Sequence, residues 1–370
     1  MPAPAGPVLT VNVGSSSVKL RVLDARDRVL VAREEEFGSE ERELEAALER
    51  ILAEAPEIAA AGHRVVHGGH EFSDPLPIDD RAESDLEALA DLAPLHNPPA
   101  LAAIAALRRL RPRLPSVACF DTAFHSTIPA AASTYAIPAD WSAPMPLRRY
   151  GFHGLSHAYA ARRAAELLDR EIAELRLVTA HLGAGASLAA VEAGRSVDTT
   201  MGFTPLEGLV MATRSGSVDP GLLLWVQRHR GHDAERMESE LDRDSGLLAL
   251  CGHSDLREVI AGADSGEERC GLALAVYLHR LAAKIAAMTA AMGGLDALVF
   301  TGGIGEHLSR VRSEACERVA FLGLELDPAA NSTATGDGVL SSPDSKAGVL
   351  VVTAREDIEI ARGTRSALAA

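Results

Sequence analysis

Two stretches 169 residues apart repeat one pattern. LTVNVGSSSVKL (9 to 20) and VTAHLGAGASLA (178 to 189) each run from a strand through a polar residue into a Gly-rich turn and out along a second strand. Laid over each other without gaps, they match Thr10 with Thr179, Asn12 with His181 and Gly14 with Gly183. Either could be a plain hairpin, because Gly and Ser are ordinary turn residues. A turn needs only two such residues, however. Three hydroxyls after Gly14, with Asn12 before them and Lys19 after, also supply backbone N–H groups, hydroxyl donors and one cation suited to a phosphate. Occurring twice, the pattern predicts duplicated halves that face one another, each offering its turn to a ligand between them.

At 370 residues the chain exceeds what one hydrophobic core usually organises, which fits two domains. Hydrophobic residues make up 47% and aromatics only 4%, so the cores rest on Ala, Leu and Val. The formal charge of −16 argues against a nucleic-acid binder, whose affinity would need clustered Lys and Arg. Any anionic ligand must be held by a local site. MPAPAGPVLT lacks the basic segment and apolar core of a signal peptide, and no run reaches ~18 uncharged apolar residues, so no membrane partner and a cytoplasmic location are expected. Cys119, Cys251, Cys270 and Cys316 show no CxxC spacing, which fits reduced thiols better than a disulfide frame or a zinc site.

Strand-like runs at 8 to 13, 18 to 23, 62 to 67, 116 to 120, 176 to 182, 187 to 191, 297 to 301 and 348 to 353 alternate with helical periodicity at 83 to 92, 98 to 110, 155 to 168 and 270 to 292. The fold class is therefore α/β. Residues 137 to 151 read as a Pro-rich linker, and 329 to 338 as a surface excursion. A third glycine cluster, FTGGIGEH (300 to 307), follows a buried strand and precedes a helix, where backbone can approach a nucleotide closely. It is not a Walker motif, because GxxxxGK[ST] occurs nowhere.

Polar residues punctuate other strand ends: Arg64 in GHRVVHGGH, Asp121 in ACFDTAFH, His153 in YGFHGLSH and Arg214 in MATRSGSVDP. For Arg64 taken singly, a satisfied buried ion pair is the simplest reading. His63 and His67 are four apart on strand-like sequence, which separates them by about 13 Å and argues against one shared metal. His153 and His157 open a helix at metal-ligand spacing but have no third ligand in sequence, which favours a structural or substrate-facing role.

The segments NVGSSSVK, GHRVVHGG, PLHNPP, FDTAFH, YGFHGLSH, HLGAGAS, MGFTPLEGL, TRSG, SDLR and FTGGIGE stand in an order and spacing that resemble the acetate and butyrate kinase family, and within it the acetate kinases, from Val8 to about Arg362. That family lies in the sugar kinase and actin superfamily. The resemblance implies two duplicated actin-like, ribonuclease H-like domains with a catalytic cleft between them. The first, 1–124 plus 356–370, would carry the acyl substrate, and the second, 125–355, the nucleotide. It also implies a homodimer and reversible, Mg2+-dependent phosphoryl transfer from ATP to acetate, giving acetyl phosphate and ADP, with Mn2+ as an alternative metal.

By the same resemblance, Arg64 holds the substrate carboxylate, while Arg214 and His153 stabilise the transferring group, whose charge spreads over its oxygens. Asp121 matches the family's catalytic carboxylate. Because the substrate carboxylate is already ionised at neutral pH, Asp121 orients the substrate or metal shell rather than abstracting a proton. Asn12 and Glu356 resemble metal-site residues. Val66, Leu95, Phe152 and Pro205 would line the acyl pocket. Nucleotide contacts would come from Ser15, Ser17, Lys19, His181, Leu182, Gly183, Ala184, Gly185, Asp255, Leu256, Arg257, Gly303, Ile304, Gly305, Glu306 and His307.

Several positions depart from the family pattern. Ala184 stands for the usual Asn of HLGNG, His307 for the Asn after GGIGE, and Ser217 for the Asp of TRSGD; the late NEE motif appears only as REDIEIA. These bear on the phosphoryl donor rather than on the reaction class. The alternatives are a propionate or butyrate kinase, or a nucleotide-binding regulator without turnover.

Overall fold

The computed structural model describes residues 6–14, 17–36, 41–93, 97–142 and 145–370. Met1–Ser126, Phe152–Tyr159 and Arg355–Ala370 form one compact unit; Thr127–Gly151 and Ala160–Ala354 form a second. Ser15 and Leu95 lie outside the described residues.

The first unit holds a six-stranded sheet of β1 (Val8–Val13), β2 (Ser17–Leu23), β3 (Val29–Glu36), β4 (Ala60–Val65), β5 (Leu76–Pro77) and β6 (Ser116–Phe120), in the order β3-β2-β1-β4-β6-β5. β1, β4 and β6 run parallel, while β2, β3 and β5 are antiparallel to their neighbours. The second unit holds β7 (Arg176–Leu182), β8 (Ala186–Glu192), β9 (Arg195–Thr199), β10 (Ala297–Thr301), β11 (Gly338–Val339) and β12 (Gly348–Val351). Read from its β9 edge, this sheet runs β9-β8-β7-β10-β12-β11, with β7, β10 and β12 parallel and the others antiparallel to their neighbours. Adding six to each strand number of the first sheet gives the second. The duplication expected from the two hairpins therefore extends to the whole sheet.

The hairpins differ in one detail that the gapless overlay misses. Val13 pairs with Val18, five positions on, whereas Leu182 pairs with Ala186, only four positions on. The overlay holds along the first strand and slips by one residue along the second. Asn12 thus faces Lys19, and His181 faces Ser187.

β1 is buried on both faces, apolar on the one that carries Leu9, Val11 and Val13 and partly polar on the other, where Thr10 and Asn12 stand. Leu9 and Val11 join Leu44, Leu48 and Ile51 of helix Glu41–Glu54 and Ala103 and Leu107 of helix Asn97–Leu110 in one core. Leu48 and Ile51 are fully buried, which is worth about 1.5–3 kcal/mol each. Helix Glu356–Ala369 covers the other face of β1, β4 and β6. It can lie this close because position 62 is glycine; a side chain there would collide with Thr364 and Ile360.

In the second unit the 24-residue helix Glu268–Ala291 is long and apolar enough to cross a bilayer by length and composition. Its apolar face is instead buried through Ala273, Leu274, Leu278, Leu281 and Ile285 in the packing of this unit. β3 gave no sequence signal because it is a largely exposed strand ending in Arg-Glu-Glu-Glu. The expected surface excursion at 329–338 is in part helix Pro328–Thr333, in which Asn331 is buried. Its Pro at the first turn and the Asp327 cap are helix-start signals that composition alone obscured.

Candidate active site

In the first unit four polar side chains converge where β1, β4 and β6 end and helix Glu356–Ala369 begins. Arg64 is the one residue of β4 that is not fully buried. Its Nε donates to both carboxylate oxygens of Asp121 at 3.1 Å, and its Nη2 to Oδ2 at 2.5 Å. Nη1 donates to Asn12 Oδ1 at 3.3 Å, and Asn12 Nδ2 donates to Glu356 Oε2 at 2.6 Å. Asp121 is fully buried, whereas the Arg64 side chain keeps 15% of its surface. Desolvation works against the charge on Arg64, but the carboxylates of Asp121 and Glu356 overcome it and push its pKa up. Burial likewise opposes a charge on Asp121, while the guanidinium and the N–H of His153 favour it.

The YGFHGLSH segment is pressed onto this cluster. His153 adopts a left-handed backbone with φ +57°, which aims its N–H at the Asp121 carboxylate. Gly154 then donates its N–H to the Asp121 carbonyl at 2.9 Å, and any side chain at 154 would overlap that carbonyl. Phe152, just before, is buried, its ring edge-on to His67 at 5.5 Å. Val66 is buried beside it in sequence with His67. The His67 loop is clamped by Asn97, whose Oδ1 accepts from His67 N and whose Nδ2 donates to His67 O, both at 3.1 Å. Asn97 belongs to the PLHNPP segment, but its clamping role could not be read from it.

The second unit carries the other sequence-selected residues. The β7–β8 turn is closed by Gly183 N–H donating to Gly185 O at 3.0 Å, and Ala184 at its tip is exposed. The buried strand β10 ends at Thr301 and runs straight into helix Gly302–His307, in which Gly303 and His307 are exposed. Glu306 Oε1 accepts from Ala354 N at 3.0 Å. Arg312, missed in the sequence, is buried beneath this helix and donates from Nη1 to the carbonyls of Gly305 and Glu306 at 2.8 Å each, while Asn331 Oδ1 accepts from its Nε at 2.7 Å. Ala354 and Arg312 thus both hydrogen-bond to the end of the glycine-rich turn. Arg214 pairs through Nε with Asp242 Oδ1 at 2.6 Å, and Pro205 is half-buried in the loop after Met201. Asp255 caps helix Leu256–Asp264, and its carboxylate also holds the exposed Arg257 side chain.

Ser17 and Lys19 stand on β2 opposite β1; the Lys19 side chain is half-exposed with Nζ 3.3 Å from Glu34. Of the His pairs, His63 is buried in β4 and His67 lies in the following loop. His157 is buried with its ring 5.6 Å from that of His125.

Paired, topologically identical mixed sheets, each with a glycine-turn hairpin at the head of its central strand, define a two-domain α/β phosphotransferase of the actin-like sugar-kinase type. The chain belongs to the acetokinase family, whose model matches residues 31–362. It is thus a kinase with a carboxyl group as acceptor. It is 49% identical to the acetate kinase of Gloeobacter violaceus over 315 residues, 85% of this chain and 78% of the relative. Among solved structures it is similar to Porphyromonas gingivalis acetate kinase (TM-score 0.89, 38% identity, 98% of this chain and 100% of that one). It is also similar to a propionate kinase from Francisella tularensis (TM-score 0.90, 35% identity, 98% and 99%).

Proposed function

We propose that the enzyme transfers the γ-phosphoryl group of ATP to acetate, giving acetyl phosphate and ADP, and that it works in the cytoplasm. The single observation that carries the residue assignment is the Arg64 guanidinium, fixed by Asp121 and still partly exposed. A guanidinium with its fork already oriented is suited to a small carboxylate. Asp121 then positions Arg64 rather than moving a proton. His153 and Arg214 are assigned to the charge that spreads over the phosphoryl oxygens as it leaves the donor. The glycine turns at 183–185 and 303–305, with Ser15, Ser17, Lys19, His181, Leu182, Ile304, Glu306, His307 and Asp255–Arg257, are assigned to ATP.

Asn12 Oδ1 and the Glu356 carboxylate are oxygen donors held together by one hydrogen bond, a donor set that fits a hard ion such as Mg2+ completed by phosphate oxygens and water. When bound, the ion would neutralise charge on the donor phosphates. The chain's own residues orient the acceptor: Val66 and Phe152, with Leu95 and Pro205, are assigned to the acyl pocket. The test is hydroxylamine trapping of acyl phosphate by the pure enzyme with ATP and Mg2+. Because one solved relative is a propionate kinase, acetate, propionate and butyrate are run side by side. Each added methylene should cost roughly 1–3 kcal/mol in kcat/KM. No trapped product with any acid would overturn the enzyme reading, and butyrate ahead of acetate would overturn the pocket.

A homodimer is proposed as well, supported by helix Pro220–Arg230, which buries no residue and leaves Leu222, Leu224 and Trp225 about half exposed. Sedimentation equilibrium giving only the 38.9 kDa species would refute it.

A further inference from the structure

Cys270, which has no CxxC partner in the sequence, comes together in the second unit with two further donors, His253 and Glu267. We propose that His253, Glu267 and Cys270 form a binding site for a soft divalent cation of the zinc type, with water completing its coordination. One ligand atom each from His253, Glu267 and Cys270 lies within 4.8 Å of the other two. Donors around a tetrahedral zinc with bonds of about 2.0–2.3 Å stand roughly 3.3–3.8 Å apart, so the three need only a small contraction. The Cys270 thiol already donates to Glu267 Oε2 at 3.4 Å, while the Cys251 thiol donates to Leu247 O at 3.4 Å and to His253 O at 3.8 Å.

The surroundings keep this cluster open and in place. Gly262 faces it: a side-chain carbon there would sit 2.5 Å from Cys270 Sγ and 3.3 Å from Glu267 Oε2. His253 Nδ1 faces Glu258 Oε2 at 3.2 Å, the carboxylate–imidazole pairing that orients ligating histidines. Helix Gly246–Cys251 is tied to the helix that delivers Cys270: Arg269 donates from Nε to Leu250 O at 3.0 Å and from Nη2 to Ala249 O at 3.3 Å. Cys270 is fully buried while His253 and Glu267 reach the surface, which gives an ion an entry side. Thiolate and imidazole donors select zinc over magnesium, so the site is chemically distinct from the oxygen donors Asn12 and Glu356.

The whole chain, stripped with a chelator and then freed of it, is titrated with Co2+ and Zn2+ in the absence of nucleotide, so the result does not depend on the ATP assignment. One equivalent of Co2+ should give a thiolate-to-metal charge-transfer band, which Zn2+ bleaches, and Zn2+ should raise Tm. Cys270→Ser should lose the band and weaken binding by about 100-fold or more. His253→Ala, at a 40% exposed side chain, should lose the Tm shift without threatening the fold. Gly262→Ala, which crowds the thiol, should weaken binding. A Co2+ complex without the thiolate band, or full-strength binding in Cys270→Ser or His253→Ala, would overturn the site.

Discussion

Asn12 and Glu356, 344 positions apart in the chain, meet through a 2.6 Å hydrogen bond from the Asn12 amide to the Glu356 carboxylate. The contact exists because the C-terminal helix starts at Glu356 and lies on β1 and β4 where Gly62 leaves room. If this pair supplies the Mg2+ donors, Glu356→Gln should raise the half-saturating Mg2+ concentration at least tenfold while the acetate KM moves less. Steady-state rates across a Mg2+ series check this, and an unchanged Mg2+ requirement would refute it.

Arg64 and Arg214 should fail differently. If Arg64 anchors the acceptor carboxylate, Arg64→Ala should raise the acetate KM more than it lowers kcat. It also leaves the buried Asp121 without its counter-ion, which should cost about 3–5 kcal/mol of stability in urea melts. Arg64→Lys keeps the charge but loses the fork, and should fold better while still binding acetate weakly. Arg214→Ala should lower kcat on the order of 10³-fold. Near-wild-type kinetics in either alanine variant would remove that assignment.

Ala184 is exposed at the tip of the β7–β8 turn, where the family resemblance implies an Asn beside the ATP phosphates. A missing hydrogen bond to a charged phosphate costs about 1.5–3 kcal/mol. Ala184→Asn should therefore raise kcat/KM for ATP about tenfold or more. Measuring ATP, GTP and pyrophosphate in both proteins decides the donor: no gain would place residue 184 away from the phosphates, and pyrophosphate ahead of ATP would overturn the nucleotide.

Two buried histidines set an acid limit on stability. Desolvation lowers His63 to about 3; it also lowers His125 to about 4 despite the 3.0 Å contact of Nε2 with Phe152 O. Both folded values lie below the unfolded value near 6.5, so the unfolded chain binds protons that the folded one does not. Stability from these groups is complete above pH 6.5 and is lost as the pH falls towards 4, by about 1.4 kcal/mol per unit for each. Urea melts at pH 7.5, 6.5, 5.5 and 5.0 should show this slope, reduced by about one proton in His63→Phe. An unchanged slope in that variant would exclude His63.

Much of the architecture could be read from the sequence because it is encoded locally. Gly-rich turns between Val- and Leu-rich runs set both central hairpins, and eight strand runs fall within a few residues of observed strands. The repeat announced the duplication, though a gapless overlay could not see that the second turn is one residue shorter. Exposed or very short elements such as β3, β5 and β11 were lost because they carry no buried periodicity.

Which side chains meet was decided by tertiary structure. The motifs named Arg64, Asp121, Asn12 and Glu356, but only the order β1-β4-β6 and the helix packed over it bring them into one hydrogen-bonded chain. Arg312 under the glycine turn, Asp242 on Arg214 and Cys270 beside His253 had no sequence signal. Sequence periodicity records which face of one element is apolar, over a span of about ten residues. Hydrogen bonds across 57 or 344 positions depend on strand order, register and helix approach, which the packing of the whole sheet fixes.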